Sequence, residues 1–308
     1  MQPAHHDRAA RAGLSRHYSY QVVDVFTSVP FEGNPLAVFT DANGLSTDEM
    51  QTLARELNLS ESSFIFPPAD ARNAAKVRIF TPQVEMPFAG HPTIGTAFVL
   101  TALGRIAAGR GEFVLEENVG PISIRLESRD PFMAWLTTPP IAFGEQYDRV
   151  AVAASLGLEA GDLLGDLPAQ VVSAGNPFLY VAFRERTAVD RATLDVRALE
   201  RAAPGFSSTG VFFFAPTDDG VYARMFAPMS GVFEDPATGS ATGPLGAYLA
   251  RYGLVENKDG ARFVSEQGTK MRRRSLLHGI LRLENGALKT VEVGGSAVKV
   301  IEATVEIA

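Results

Sequence analysis

Residues 90–104 read GHPTIGTAFVLTALG, and residues 239–253 read GSATGPLGAYLARYG. The two stretches carry Gly, Thr, Leu and Gly at matching positions, which indicates an internal duplication. Their small, mostly apolar residues recur at helical spacing, a pattern typical of a helix that is buried on most of its sides. We therefore predict two equivalent central helices, near residues 93–102 and 242–252.

Two further signals repeat in the same order along the chain. FEGNPLAVF at residues 31–39 and AGNPFLYVAF at residues 174–183 both turn at Gly-Asn-Pro and continue into an apolar, strand-like run. VRIFTP at residues 77–82 has its counterpart in ARMFAP at residues 223–228. The repeats predict a duplicated unit in which strands wrap around one central helix.

The length of the chain fits this duplication. A chain of 308 residues is long enough for two domains. We expect the halves at residues 18–126 and 135–283 to superpose.

Ser46 and Glu49 form a capping-box pattern that predicts an additional helix ending near residue 58, followed by a strand in SESSFIF.

Composition excludes several classes of function. A net charge of −7 argues against binding to nucleic acid or to anionic membranes, and the basic residues at 270 and 272–274 are typical of a solvated loop. The absence of cysteine excludes disulfides, thiolate metal sites and sulfur nucleophiles. Residues 1–17 lack the apolar stretch of a secretion signal, so we expect them to be a disordered extension of a cytoplasmic protein.

A glycine-containing stretch leads into each predicted central helix, with Gly90 before the first and Gly239 before the second. Helix N-termini carry unpaired N–H groups and partial positive charge, so two of them facing one cleft would hold a carboxylate. The alternative is that the glycines only allow the helices to pack closely. Neither stretch fits a phosphate loop or a dinucleotide fingerprint.

Polar residues accompany these glycines, and each has two interpretations. Asp235 and Ser240 are either a turn former and a helix cap, or a carboxylate and a hydroxyl at a ligand site opposite His91. Glu61, in Ser-Glu-Ser-Ser, is either a surface residue or a functional carboxyl group. The residues alone leave these alternatives open.

Six stretches together resemble the PhzF-like family of isomerases of phenazine biosynthesis. They are GNPLAVF, ELNLSESSF, RIFTPQVEMPFAGHPTIGTA, AGNPFLYV, ARMFAPMSGVFEDPATGSATGPLGAYL and SEQGTKM. The resemblance implies an α+β fold similar to diaminopimelate epimerase, with two pseudo-symmetric domains that each form a β-barrel around a central helix. It implies a first domain at residues 18–134 plus about 292–308, to which the last strand returns, and a second domain at residues 135–291.

The resemblance also implies the chemistry. Glu61 is expected to be the general acid/base, with His91, Asp235 and Ser240 around a small anionic substrate and the backbone of Gly90 and Gly239 binding it. The best-known family activity isomerises trans-2,3-dihydro-3-hydroxyanthranilate by moving a proton, with no cofactor and no metal. A homodimer is implied as well.

One loop departs from the family pattern, and two other functions remain to be weighed. The chain has Arg272-Arg273-Arg274-Ser275 where relatives commonly show Gly-Arg-Pro-Ser, so the loop is expected to differ in shape. A racemase or epimerase with two thiol bases is excluded because there is no cysteine. A non-catalytic binding or scaffold protein of the same fold is the other alternative, and the complete set of candidate residues argues against it.

Overall fold

A computed structural model describes residues 15–204 and 210–307 of the chain. Of the predicted disordered extension, residues 1–14 lie outside the described residues. The first strand begins at Arg16, where Arg16 and His17 pair with Ile307 and Glu306 of the last strand. The prediction that the folded chain starts at Tyr18 is therefore wrong by two residues, because backbone pairing with the C-terminal strand includes them.

Strands make up most of both halves. Those of the first half are β1 (Arg16–Val25), β2 (Asn34–Phe39), β3 (Glu61–Phe66), β4 (Ala75–Phe80), β5 (Glu85–Met86), β6 (Glu112–Glu117), β7 (Gly120–Arg129) and β8 (Phe132–Thr137). Those that follow are β9 (Ala142–Tyr147), β10 (Ala169–Ala174), β11 (Asn176–Ala182), β12 (Val211–Thr217), β13 (Gly220–Ala227), β14 (Val232–Asp235), β15 (Arg262–Gln267), β16 (Ser275–Glu284), β17 (Ala287–Gly295) and β18 (Ala297–Ile307).

The helices are fewer and mostly short. They are α1 (Thr47–Leu57), α2 (Gly90–Ala102), α3 (Arg149–Ser155), α4 (Arg186–Arg191), α5 (Val196–Ala202) and α6 (Gly239–Arg251). Within residues 15–204 and 210–307, none of them is long and apolar enough to cross a membrane.

The strand pairing of the first half is repeated in the second. The parallel pairs β2–β3 and β4–β6 have their counterparts in β11–β12 and β13–β15. The antiparallel pairs β3–β4 and β6–β7 correspond to β12–β13 and β15–β16. The predicted duplication is therefore present in the hydrogen-bonding pattern as well as in the sequence, and the α+β fold class is confirmed.

The C-terminal strand and the β8–β17 pair connect the halves. β18 pairs with β1 over its whole length, as predicted for a last strand that returns to the first half. β8 pairs with β7 and also with β17, which makes the sheet continuous between the halves. The predicted domain boundaries at residues 134/135 and about 291/292 fall inside these two joining strands, and the boundaries remain predictions.

The two central helices lie inside the halves as predicted. Helix α2 contacts β1, β2, β3, β8 and β18, and α6 contacts β10, β11, β16 and β17. Both helices are buried along most of their length, α2 through Ile94 and Leu100 and α6 through Leu245 and Tyr248. Each begins three residues earlier than predicted, at Gly90 and Gly239. In α2 the proline at 92 lies in the first turn, where a helix tolerates it.

Helix α1 follows its local sequence signals. Ser46 accepts a hydrogen bond from the Glu49 N–H, and Glu49 accepts one from the Ser46 N–H, so the predicted capping box is confirmed. Leu45 and Met50 are buried in the same hydrophobic cluster. The helix ends at Leu57, and the strand that follows begins at Glu61, which places that carboxyl group at the start of β3.

Candidate active site

The N-termini of the two central helices meet at Gly90 and Gly239. A Cβ atom on Gly90 would lie 2.8 Å from the carbonyl carbon of Gly239, and a Cβ on Gly239 would lie 3.1 Å from the Gly90 Cα. Both glycines are therefore required for close packing, which was the simpler of the two interpretations. The same packing brings two positive helix ends side by side.

Neither helix end has a side-chain cap. The N-cap residues of α2 and α6 are Ala89 and Thr238, and neither side chain caps its helix. Ser240 is the second residue of α6, so the interpretation of Ser240 as its cap is wrong. The first N–H groups of both helices thus remain available for an anion.

A cavity of about 510 Å³ lies beside these helix ends. Its polar wall includes Glu61, Asp235 and Ser240. The remaining lining residues are Ser60, Thr81, Gln83, Val84, Met86, Asn176, Phe178, Met225, Ala227, Pro228, Met229, Gly231, Val232 and Thr238. Both halves contribute to the cavity, and of its described lining residues none is Lys, Arg or His.

Glu61 opens β3 and turns its carboxyl group toward the cavity. Its side chain is 18% exposed. Burial, followed by the repulsion of nearby Asp235, raises the pKa of Glu61 to about 8. A carboxyl group with such a pKa can exchange a proton near neutral pH, which is the property required of a general acid/base.

His91 lies behind Glu61 and is not among the described residues that line the cavity. Its side chain is 4% exposed, and its Nε2 atom is 3.3 Å from Oε2 of Glu61. The two atoms are close without the alignment of a hydrogen bond. Burial lowers the pKa of His91 to about 3, so the imidazole is neutral at physiological pH. The imidazole is buried because His91 is the second residue of a helix that begins inside the core.

Asn34 is a residue of the site that the sequence analysis did not identify. Its Nδ2 atom donates to Oδ1 of Asp235 at 2.7 Å and to the Ala237 carbonyl at 3.0 Å, so this atom must be the amide nitrogen. The same nitrogen lies 3.3 Å from Nδ1 of His91. Both hydrogens of this nitrogen are used by Asp235 and Ala237, and an amide nitrogen does not accept, so a proton on Nδ1 would face it without a partner. We therefore assign the ring proton to Nε2, which faces Glu61. The repeated Gly-Asn-Pro motif was the available signal, because Asn176 of the second copy lines the same cavity.

Asp235 ends β14 in the extended segment predicted for it. Its Oδ2 atom accepts a hydrogen bond of 2.6 Å from the Thr238 hydroxyl, and Oδ1 accepts from Asn34. Burial raises its pKa to about 6, although the hydrogen bonds from Thr238 and Asn34 oppose the rise. Because Asp235 has these donors and Glu61 does not, we assign the first ionisation of the pair to Asp235.

Gln267 and Glu117 occupy equivalent places beside the two helix ends, and the sequence analysis assigned neither a role. Gln267 ends β15, accepts from the Thr238 N–H and donates to the Asp235 carbonyl at 2.7 Å. Glu117 ends β6 and lies 2.6 Å from the hydroxyl of Thr93 in the first turns of α2. Burial raises the pKa of Glu117 to about 8.

The geometry around Thr93 shows why Glu117 holds a proton. The Thr93 hydroxyl is 2.7 Å from the Ala89 carbonyl and also within hydrogen-bond distance of Glu117. A hydroxyl has one proton, so it can donate to only one of these oxygens. Both contacts are satisfied when Thr93 donates to Ala89 and a protonated Glu117 donates to Thr93.

The candidate residues do not resemble a metal centre. Among residues 15–204 and 210–307, no group of three or more His, Asp or Glu side chains is arranged to hold a metal ion. The structure brings Glu61, His91, Asp235 and Ser240 together around the two glycines, but their catalytic and binding roles remain predictions.

Comparison with known proteins supports the resemblance. The family model described as phenazine biosynthesis-like protein (PhzC-PhzF) matches residues 23–303. A trans-2,3-dihydro-3-hydroxyanthranilate isomerase of Pseudomonas aeruginosa is 36% identical over 281 residues, covering 91% of this chain and 96% of that protein. A protein of Mesorhizobium japonicum that is named as an isomerase is 36% identical over 295 residues, covering 92% and 97%.

A solved structure agrees with these sequence matches. The PhzF-family phenazine biosynthesis protein of Bacillus anthracis superposes with a TM-score of 0.86 at 25% identity, covering 95% of this chain and 100% of that one. The likeness extends over both halves.

Proposed function

The chain belongs to the phenazine biosynthesis-like family and is an isomerase, and we propose that it moves a proton on a small unsaturated carboxylic acid, with Glu61 as the acid/base. We further propose that the reaction needs no cofactor or metal. The observation that carries the proposal is the Glu61 carboxyl group, which faces the cavity with a pKa raised to about 8 and lies 3.3 Å from neutral His91.

The proposed reaction begins with Glu61 as a carboxylate. It removes a proton from a carbon next to a conjugated system, and the electron pair of the broken C–H bond passes into that system. The resulting carboxylic acid then returns the proton to another carbon, so the product is an isomer of the substrate. An Nε2–H group on His91 can stabilise Glu61 while it is a carboxylate, that is, before the first step and after the second.

Backbone groups would hold the substrate carboxylate. Since no cationic side chain is among the described residues that line the cavity, the N–H groups at Gly90, Gly239 and Ser240 are the best candidates for binding it. The same dipoles would stabilise negative charge that develops in the conjugated system. Asp235, ionised more easily than Glu61, would accept a hydrogen bond from a polar substituent.

The duplication supports chemistry with a single base. Ser62 pairs with Ala37 in the first half, and the equivalent pair in the second half is Val211 with Leu179. The residue before Ser62 is Glu61, whereas the residue before Val211 is Gly210, which has no side chain to titrate. A proton removed and returned by one residue favours isomerisation over an epimerisation that uses two opposed bases.

The substrate we propose is trans-2,3-dihydro-3-hydroxyanthranilate or a related cyclic acid, because a relative at 36% identity carries that activity in its name. Met86, Phe178 and Met225 give the cavity an apolar wall against which an unsaturated ring can pack. We also propose a homodimer, as the family resemblance implies, which light scattering would report as twice the chain mass.

Incubation with such acids in heavy water tests the proposal. The wild-type protein should form an isomer of one of them that carries solvent deuterium on carbon, detected by mass spectrometry. A metal chelator should leave the rate unchanged. Binding of the acids without isomerisation or deuterium incorporation would instead favour the alternative of a non-catalytic binding protein.

A further inference from the structure

The loop between β1 and β2 has a backbone that its own sequence does not favour. Phe26 and Phe31 have φ values of 64° and 71°, and Gly33 has a φ of 68°. Positive φ is uncommon for aromatic residues because their Cβ atoms crowd the backbone. A Cβ on Gly33 would lie 2.4 Å from the Val25 carbonyl oxygen, so the turn is also tightly closed. Contacts from elsewhere must maintain this conformation.

Asp24 and Arg273 supply the side-chain contacts, in addition to backbone hydrogen bonds of Phe26 with Ser296 and Leu276 and of Gly33 with Arg274. Asp24 is buried at the end of β1, and its Oδ2 atom accepts a 2.6 Å hydrogen bond from the Phe31 N–H. Its Oδ1 atom pairs with the Arg273 guanidinium, which reaches it from the second half of the chain. Arg273 also donates to the carbonyls of Gly33 and Glu32, at 2.9 Å each. One guanidinium thus binds the buried carboxylate and two consecutive carbonyls of the loop.

The loop ends at Asn34, which occupies the centre of the active site. The Asn34 amide contacts His91 from the first half and Asp235 from the second. It is fully buried and is the first residue of β2, paired with Val25, so the loop leads directly into its position. Arg273 donates to the carbonyls of Glu32 and Gly33, which are the two residues immediately before Asn34.

We propose that Arg273 is a positioning residue, which acts through Asp24 and the loop to hold Asn34 against His91 and so keeps the imidazole proton on Nε2, facing Glu61. The proposal deepens the proposed function, because it assigns a new residue to the same site. It also assigns a role to one member of the basic loop, which the sequence analysis treated as solvated.

The neighbours of Arg273 provide a matched comparison. Arg274 points away, pairs with Glu266 and is 49% exposed in its side chain. Lys270 and Arg272 are exposed as well. Among the described residues, Arg273 is the one cation paired with Asp24. Arg274 contacts the β1–β2 connection through its backbone carbonyl, which accepts from the Gly33 N–H at 3.0 Å. Arg274→Gln therefore removes the same charge from the same loop but keeps this backbone contact.

Nitrogen-15 NMR of histidine-labelled protein at pH 7 tests the proposal without a substrate. The His91 signals, assigned by their loss in His91→Gln, should show the Nε2–H tautomer in the wild type and in Arg274→Gln. In Arg273→Gln they should shift toward a mixture of tautomers. A folded Arg273→Gln protein with the wild-type tautomer would overturn the proposal.

Turnover separates this proposal from the proposed function. On a substrate that the wild type isomerises, Arg273→Gln should lower kcat roughly 10- to 100-fold with a smaller change in KM, since misplaced catalytic groups have effects of this order. A changed tautomer with wild-type kcat would support the contact but overturn its catalytic role. If Arg273→Gln does not fold, Arg273→Lys decides, because it keeps the charge but not the fork that bridges the carbonyls. Unchanged His91 signals in that variant would overturn the proposal.

Discussion

Replacing Glu117 with Gln should make the stability of the protein less dependent on pH. Glu117 is 7% exposed, and burial raises its pKa. No cation is among the groups that would lower this pKa again. A glutamine amide at this place can donate to Thr93 as the protonated carboxyl group does. Gln267 occupies the equivalent position at the end of β15, so the substitution gives both halves a glutamine at this position.

The magnitude follows from the difference between the folded and unfolded pKa values. The folded value is about 8 and the ordinary one 4.5, so the folded state keeps a proton that the unfolded chain releases. The stability that Glu117 contributes is thus fully present below pH 4.5 and is lost as the pH rises to about 8. The loss is about 1.4 kcal/mol per pH unit. Between pH 5.5 and 7.5 it amounts to about 2 to 3 kcal/mol.

Urea unfolding of the wild type and Glu117→Gln at pH 5.5 and 7.5 measures this difference. The variant should gain about 2 to 3 kcal/mol relative to the wild type between the two pH values. The slope due to Glu61 is present in both proteins and cancels. Glu116→Gln is the matched control, because hydrogen bonds from Asn73, Asp70 and Ala69 lower the pKa of Glu116, and its removal should not reproduce the gain. If the free energy of unfolding changes with pH by the same amount in the wild type and in Glu117→Gln, the claim that Glu117 is protonated in the folded protein is refuted.

Two further changes test the electrostatics and the packing of the site. Asp235→Asn removes a charge that raises the pKa of Glu61. The isomerisation rate of this variant should therefore rise at lower pH than that of the wild type. A rate that rises at the same pH in both proteins would contradict the coupling. Gly90→Ala places a methyl group 2.8 Å from the Gly239 backbone and should cost roughly 1–3 kcal/mol of stability and much of the turnover. Gly109→Ala, which has open surroundings, is its control, and equal thermal midpoints for the two variants would show that the helix ends have room.

Local signals in the sequence were sufficient for the elements that local interactions determine. Helix α1 was predicted from Ser46 and Glu49 because a capping box is complete within four residues. The central helices were predicted from periodicity, although both start three residues earlier than predicted. The order of the repeated motifs was enough to predict the duplicated strand pairing.

Long-range packing determined what the sequence did not predict. Asn34 and Gln267 contact Asp235 from distant parts of the chain. The repeated Gly-Asn-Pro motif marks Asn34 without indicating its partners, and nothing beside Gln267 in the sequence indicates its contact. The sequence did not predict that His91 is buried in the first turn of α2, behind Glu61. The side chains of Arg273 and Arg274 point in different directions from the same loop, toward Asp24 and toward Glu266. A run of three arginines in the sequence does not indicate which of them points inward.

The assignment of Glu61 as the proton carrier is the central claim, and Glu61→Gln tests it most directly. The glutamine keeps the size of the side chain and loses the titratable group, while Glu56→Gln, on the exposed face of α1, serves as control. On a substrate that the wild type isomerises in heavy water, deuterium incorporation by Glu61→Gln should fall by about two to four orders of magnitude, the usual contribution of a positioned acid/base. Substrate binding and the rate of Glu56→Gln should stay near those of the wild type. A Glu61→Gln protein that incorporates deuterium at a rate close to the wild type would contradict the account and make Asp235 the next candidate for the base.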